Sequence, residues 1–279
     1  MSRNNSDRLG PQDKSGETPV TANPMEFVTP TEFVELPSKG TFYPESHPLH
    51  NEDVIEIRYM TAKEEDILTS QTLLKKGIAI DRFLQNIIIS KQIKVDDLLI
   101  GDKNAILIAA RSSGYGNMYD TTVACPACNT RADISFDLED KQIKESMIGE
   151  TENVNKTSNG TFMIKMPFSK FDVEIKLLTG KDERYLSTVS AKKKKGKMAD
   201  TLITDQYKLM VVSVQGNSER GVVNHYAENM PLRDSRFLKS VYKAVNPDVK
   251  IIEAFECNSC GHDQMLEVPF GADFLWPDR

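Results

Sequence analysis

Hydrophobic positions change period several times along this chain, and each change marks an element. Val54-Ile55-Glu56-Ile57-Arg58-Tyr59-Met60 partly alternates and reads as a strand. Thr61-Ala62-Lys63-Glu64 follows as a capping box, predicting a helix that runs to Lys76 with Gly77 as its left-handed stop. Ile80, Phe83, Leu84, Ile87 and Ile88 recur at the spacing of one helical face. A short turn at Val95 to Leu99 precedes a third helix, Lys103 to Ser112, with Asp102 as its cap, Ile106, Ala109 and Ala110 turned inward and Gly114 as its end. Residues 54–114 thus read as a mostly helical unit.

Beyond it, Tyr119 to Ala124 and Ala132 to Leu138 form two strands, with Ile134, Phe136 and Leu138 alternating and Cys125 to Cys128 at the turn. Residues 140–160 are polar and aperiodic and read as a linker or long loop. A hairpin is predicted from Thr161 to Pro167 and Phe171 to Leu178. A helix capped by Thr179 and Asp182 then carries Tyr185, Leu186 and Val189. Ile203, Tyr207, Met210, Val211 and Val214 predict a helix over Met198 to Val214. Leu238, Val241, Tyr242 and Val245 predict another, stopped by Asn246-Pro247, with His225 in the loop before it. Lys250 to Glu256 and Gln264 to Phe270 read as strands about a second turn, Cys257 to Cys260.

These elements predict an α+β fold. Residues 1–32 form a flexible polar arm that buries too little to offset the entropy of ordering. Residues 33–118 hold a proline-rich segment and the helical unit. Phe33, Leu36, Phe42 and Tyr43 lie among Pro37, Pro44 and Pro48, a combination that excludes a helix and suggests packing on the same domain. Residues 119–140 with 250–279 make a split zinc ribbon of two β-hairpins and a C-terminal tail holding Trp276, and 141–249 are an α+β insertion.

The chain has 279 residues, of which 39% are hydrophobic and 27% charged. Its net charge of −6 argues against a nucleic-acid footprint over the whole surface. The basic run Lys192-Lys193-Lys194-Lys195-Gly196-Lys197 reads as a solvated helix end, with phosphate contact as its sharper alternative. No apolar run reaches the roughly 20 residues of a membrane span, and Met1-Ser2-Arg3-Asn4-Asn5 lacks a secretory core, so a reducing compartment is expected.

The four cysteines fall into two pairs, Cys125-Pro126-Ala127-Cys128 and Cys257-Asn258-Ser259-Cys260. Two such pairs complete the tetrahedral thiolate set that zinc prefers, and a site closed by four thiolates is structural. One Zn2+ per chain is expected, held by Cys125, Cys128, Cys257 and Cys260. Gly261 suits a turn of positive φ. His262 is assigned a supporting or solvent role, and His47 and His50 have no paired ligand. No phosphate loop, nucleophile elbow or metalloprotease helix occurs, so no catalytic residue and no other cofactor is named. The residues alone leave three readings: a non-catalytic assembly protein, a zinc-ribbon nucleic-acid binder and, as the minority reading, an enzyme using an unrecognised carboxylate site.

Several stretches narrow this: Leu36-Pro37-Ser38-Lys39-Gly40 with Phe42-Tyr43-Pro44, Tyr59-Met60-Thr61-Ala62-Lys63-Glu64-Glu65-Asp66-Ile67-Leu68-Thr69, Leu73-Leu74-Lys75-Lys76-Gly77, Met230-Pro231-Leu232-Arg233-Asp234-Ser235-Arg236, both cysteine knuckles and Phe274-Leu275-Trp276-Pro277. Over residues 36–279 the chain resembles the T4-like bacteriophage baseplate hub subunit and hub assembly proteins. The resemblance implies a contractile-tailed phage protein that helps build the baseplate hub and resides in the virion or acts in the host cytoplasm during assembly. Its implied partners are other baseplate or tail proteins, with self-association open, and neither a membrane nor nucleic acid.

Overall fold

Thr31–Glu35 (β1) pairs antiparallel with Val54–Arg58 (β2), setting Val34 opposite Ile55. The computed structural model describes residues 29–147, 154–196, 201–268 and 272–275. The expected N-terminal arm up to residue 28, Trp276 and the end of the lysine run at Lys197 lie outside them. Strand β1 was not anticipated, because its alternation is short and runs straight into the prolines. The proline-rich segment folds back on the body as expected: Leu36, Tyr43 and Leu49 are buried, whereas Phe33 stays 70% exposed. Gly40 closes this segment at φ 65°, where an added Cβ would lie 2.3 Å from the Leu49 carbonyl oxygen.

Ala62–Thr69 (α1) and Gln71–Lys76 (α2) replace the single predicted helix. Ser70 is extended at ψ 107° and ends one helix while starting the next. Neighbouring hydroxyls compete with the helix ladder here, since the Thr69 hydroxyl donates back to the Glu65 carbonyl at 2.9 Å. Gly77 stops α2 in the left-handed region as predicted. Ala79–Ile87 (α3) buries Phe83, Leu84 and Ile87. Ile100–Tyr115 (α4) starts before Asp102 and ends at Gly116, not Gly114. Asp102 is therefore no cap. Its carboxylate leaves the helix and accepts the Ser38 amide at 3.0 Å, the Ser38 hydroxyl at 2.6 Å and the Tyr43 hydroxyl at 2.7 Å.

Met118–Ala124 (β3) pairs with Arg131–Asp137 (β4). The expected loop at 140–160 contributes two strands, Gln142–Lys144 (β5) and Val154–Lys156 (β6). Three residues are too few to carry a period, and the partner of β5 lies about a hundred residues on. Phe162–Lys165 (β7) and Asp172–Ile175 (β8) make the predicted hairpin, and Gly180–Lys195 (α5) follows. Leu202–Met210 (α6) is shorter than expected because Val211–Val214 (β9) leaves the helix and joins β8. Two adjacent β-branched residues and a third after Ser213 favour the pleated edge. Antiparallel β6-β7-β8-β9 form the largest sheet.

Arg220–Asn229 (α7) places His225 on an exposed helix face rather than in a loop. Leu232–Val245 (α8) follows as predicted. The strand expected from Lys250 is two: Asp248–Lys250 (β10) pairs with β5, and Ile252–Glu256 (β11) pairs with Asp263–Glu267 (β12). Buried Ile251 marks the change of sheet. The fold is mixed α and β with small antiparallel sheets. Its main hydrophobic cluster draws on Leu36, Phe83, Ile106, Phe162, Leu238 and Phe274, from the proline-rich segment to the last described turn.

Candidate metal centre

Two hairpin turns carry the cysteines, and they repeat one geometry. In the first, the Cys125 amide donates to the Thr130 carbonyl at 2.9 Å and the Asn129 amide donates back to the Cys125 carbonyl at 2.8 Å. In the second, Cys257 donates to the His262 carbonyl at 2.9 Å and Gly261 donates back to Cys257 at 2.8 Å. Asn129 and Gly261 occupy equivalent positions at φ 60° and 69°, the left-handed region that Gly adopts freely and Asn tolerates. Gly261 was anticipated. Asn129 was not, although Asn one residue past a Cys-x-x-Cys is a signal for the same turn.

The turns bring the four sulfurs together. Cys125 and Cys260 lie 3.8 Å apart, Cys128 and Cys257 3.6 Å apart, and all four ligand atoms fall within 4.8 Å of one another. A disulfide would need about 2.05 Å, and all four cysteines are free. A tetrahedral thiolate site with metal–sulfur bonds of about 2.3 Å sets its sulfurs roughly 3.8 Å apart. The group is thus compatible with a structural metal site in size as well as in donor type.

Burial is divided between the turns in the same way. Cys125 and Cys257 are buried, and Cys128 and Cys260 are exposed. The buried pair joins Phe255 in a small apolar cluster, against which Val123, Ala132, Ile134 and Leu266 pack. Electrostatics also favour a cation. The hydroxyl and amide of Thr130 pull the Cys128 thiol down to about 6. The His262 amide pulls Cys260 the same way, yet the neighbouring Cys128 and the other two sulfurs push it up to about 12. Four sulfurs this close cannot all be thiolates unless a positive charge sits among them.

The histidines stay out of this cluster. His262 turns its Nε2 to the Gln264 side-chain oxygen at 3.2 Å. His47 stacks on Tyr43, with ring centres 4.4 Å apart, and accepts the Leu49 amide at Nδ1. His50 sets Nδ1 2.7 Å from the Tyr43 carbonyl oxygen. Among the described residues, the four cysteines are the one group of three or more such side chains that could hold a metal ion.

Beside the cysteine hairpins, the buried Arg111 fixes the exit of α4 into β3. Its guanidinium donates to the Gly116 carbonyl at 3.0 Å and lies over the rings of Tyr115 and Tyr119. Tyr119 in turn meets Phe274 edge-on at 5.1 Å.

No curated protein sequence and no solved structure matches the chain. The family described as T4 bacteriophage base plate protein matches residues 29–276, which takes in the proline-rich segment, every described helix and both cysteine turns. The chain therefore belongs to the T4 bacteriophage base plate protein family.

Proposed function

We propose that this chain is a non-catalytic structural or assembly component of a phage baseplate hub, locked by one Zn2+ on Cys125, Cys128, Cys257 and Cys260. The observation that carries the proposal is the family match over residues 29–276, made on a chain whose four sulfurs converge from turns 129 residues apart. The hub assignment rests on the motifs around Leu36, Tyr59 and Met230. Zinc is favoured over other metals by a donor set of four thiolates in a closed tetrahedral arrangement.

A non-catalytic role is supported by how the buried carboxylates are used. Glu64 holds Arg58 and the start of α1, Asp102 holds Ser38 and Tyr43, and Asp182 holds Thr179 and Lys176. Each fixes one chain segment against another. Within the lysine run, Lys193 has a structural use, since it pairs with Asp205 at 2.5 Å. No helix among the described residues is long and apolar enough to cross a membrane. Other baseplate proteins are the expected partners.

The test is to raise phage carrying an epitope-tagged chain, wash the particles at high salt and locate the tag by immunogold. Label at the tail end of particles, or in hub intermediates from lysates, is the expected result. Label confined to heads or to unassembled host protein would overturn the proposal.

A further inference from the structure

Away from the metal centre, three large apolar side chains stand in solvent at one place. Phe168 is 56% exposed and Phe171 41%, both on the turn joining β7 to β8, and Leu232 at the start of α8 is 72% exposed. That helix also pins the turn. Asp234, fully buried, accepts the Phe168 and Ser169 amides at 2.9 Å each. Lys170 completes the turn at φ 61°, and the Met166 amide donates to the Phe171 carbonyl at 2.8 Å. The tip is therefore ordered before any partner arrives, which lowers the entropic cost of binding.

Charge selects the partner. The Arg233 guanidinium lies 5.8 Å from the centre of the Phe168 ring, Lys170 is on the turn, and Arg236 follows Leu232 by one helical turn. The acids in this region are already engaged: Asp172 faces Lys165, Glu228 faces Lys208, and Asp234 is buried. Arg233 and Arg236 have no ion pair among the described residues, and Lys170 has none either, although its charge also bears on the buried Asp234. Aromatic, aliphatic and arginine side chains grouped on a rigid tip are the usual anchors of a protein interface.

We propose that this apolar tip with its rim of cations docks onto an acidic protein surface, a recess edged by carboxylates on a neighbouring baseplate subunit. The identity of that partner rests on the function proposed above. A lipid surface fits less well. Membrane recognition draws on clusters of about four to eight basic residues, more than the Lys170, Arg233 and Arg236 of this tip. A pinned turn also suits a shaped recess and gives no advantage on a fluid surface.

The experiment uses phage deleted for this gene and complemented with the full-length chain. Phe168→Ser with Leu232→Ser should melt and retain metal as wild type does, yet lower the titre roughly 100-fold or more, as loss of two interface anchors entails. Lys170→Glu with Arg233→Glu, both exposed, repeats the test should the first pair fail to fold. Met265→Ser, an exposed apolar residue on β12, should leave the titre unchanged. A photoreactive phenylalanine analogue at position 171 should crosslink to a phage structural protein through a peptide rich in Asp or Glu. Wild-type titres from both pairs would overturn the proposal, as would crosslinks only to a second copy, or flotation with anionic phosphatidylserine vesicles in place of a crosslink. A deletion phage that grows normally would instead overturn the baseplate reading.

Discussion

The Tyr43 hydroxyl donates to the Asp102 carboxylate at 2.7 Å across 59 residues of sequence. This bond, with the two from Ser38, clips the proline-rich segment onto the first turn of α4. Burial, then the neighbouring Asp102, lift the Tyr43 phenol well above its usual range, so it remains a donor. Burial also lifts the Asp102 carboxyl, although the bonds from Ser38 and Tyr43 oppose it. Asp102→Ala should cost about 2–5 kcal/mol in urea denaturation, because three buried donors lose their acceptor. Asp102→Asn should cost much less. With a folded value above the unfolded one, the stability Asp102 contributes is complete below the unfolded aspartate value and declines as pH rises through the folded one. The comparison with Asn should therefore shift toward Asn as pH increases.

Glu64 has the opposite sign. Burial would raise it, but the Arg58 guanidinium and the Thr61 hydroxyl and amide overrule burial and hold it below the ordinary 4.5. Its contribution is present above the unfolded value and lost as pH falls through the depressed folded one. Glu64→Gln should cost about 1–3 kcal/mol at pH 7. Denaturation curves of variant and wild type should converge as pH falls through the depressed folded value.

Gly101 should resist the usual gain from alanine in a helix. An added Cβ would lie 2.1 Å from the Pro247 carbonyl oxygen and 2.9 Å from the Asp248 Cα, both backbone atoms. Gly101→Ala should destabilise by more than about 3 kcal/mol, against the roughly 1 kcal/mol gain of an open helical site. Thermal melts of the two proteins decide it.

Metal removal should act locally first. Cys125 and Cys257 form a small apolar cluster with Phe255, linked to the main core by the partly buried Ile134 and Leu266. Elemental analysis should find one zinc per chain, and none in Cys257→Ser. In hydrogen exchange after chelation, amides near Cys125 and Cys257 should lose protection while those of α3 and α4 keep theirs. Simultaneous loss in both would show one cooperative unit.

What was readable in advance follows from the range over which each signal acts. Gly77, the 3.6-residue stripe of α3 and α8, and the β7–β8 hairpin are set by neighbours within a few residues, and they fell where expected. That the cysteine turns would converge was readable because two Cys-x-x-Cys pairs announce themselves by type and spacing. Strands β5, β6 and β9 were not, since each is three or four residues long and is stabilised by a partner elsewhere in the chain. Val211 illustrates this: it extends the helical stripe of α6 in sequence, yet tertiary pairing with Ile175 takes it into the sheet. Asp102 misled for a related reason. An acid just ahead of an apolar helical stripe reads as a cap, and only the folded chain shows that the helix starts earlier and that Ser38 and Tyr43 meet Asp102.

The distance in sequence between the two cysteine turns also sets a timetable. A ribosome adds about 5–20 residues per second, so the 129 residues from Cys128 to Cys257 take roughly 6–26 s to emerge. For that interval a nascent chain carries two thiols with no second pair to close on. On the zinc site proposed above, capture of the ion would fall among the last events of biogenesis, and a chain truncated before Cys257 would lack half of the sulfurs. On that proposal, metal supply and thiol protection during synthesis would govern how many chains close the four-cysteine group.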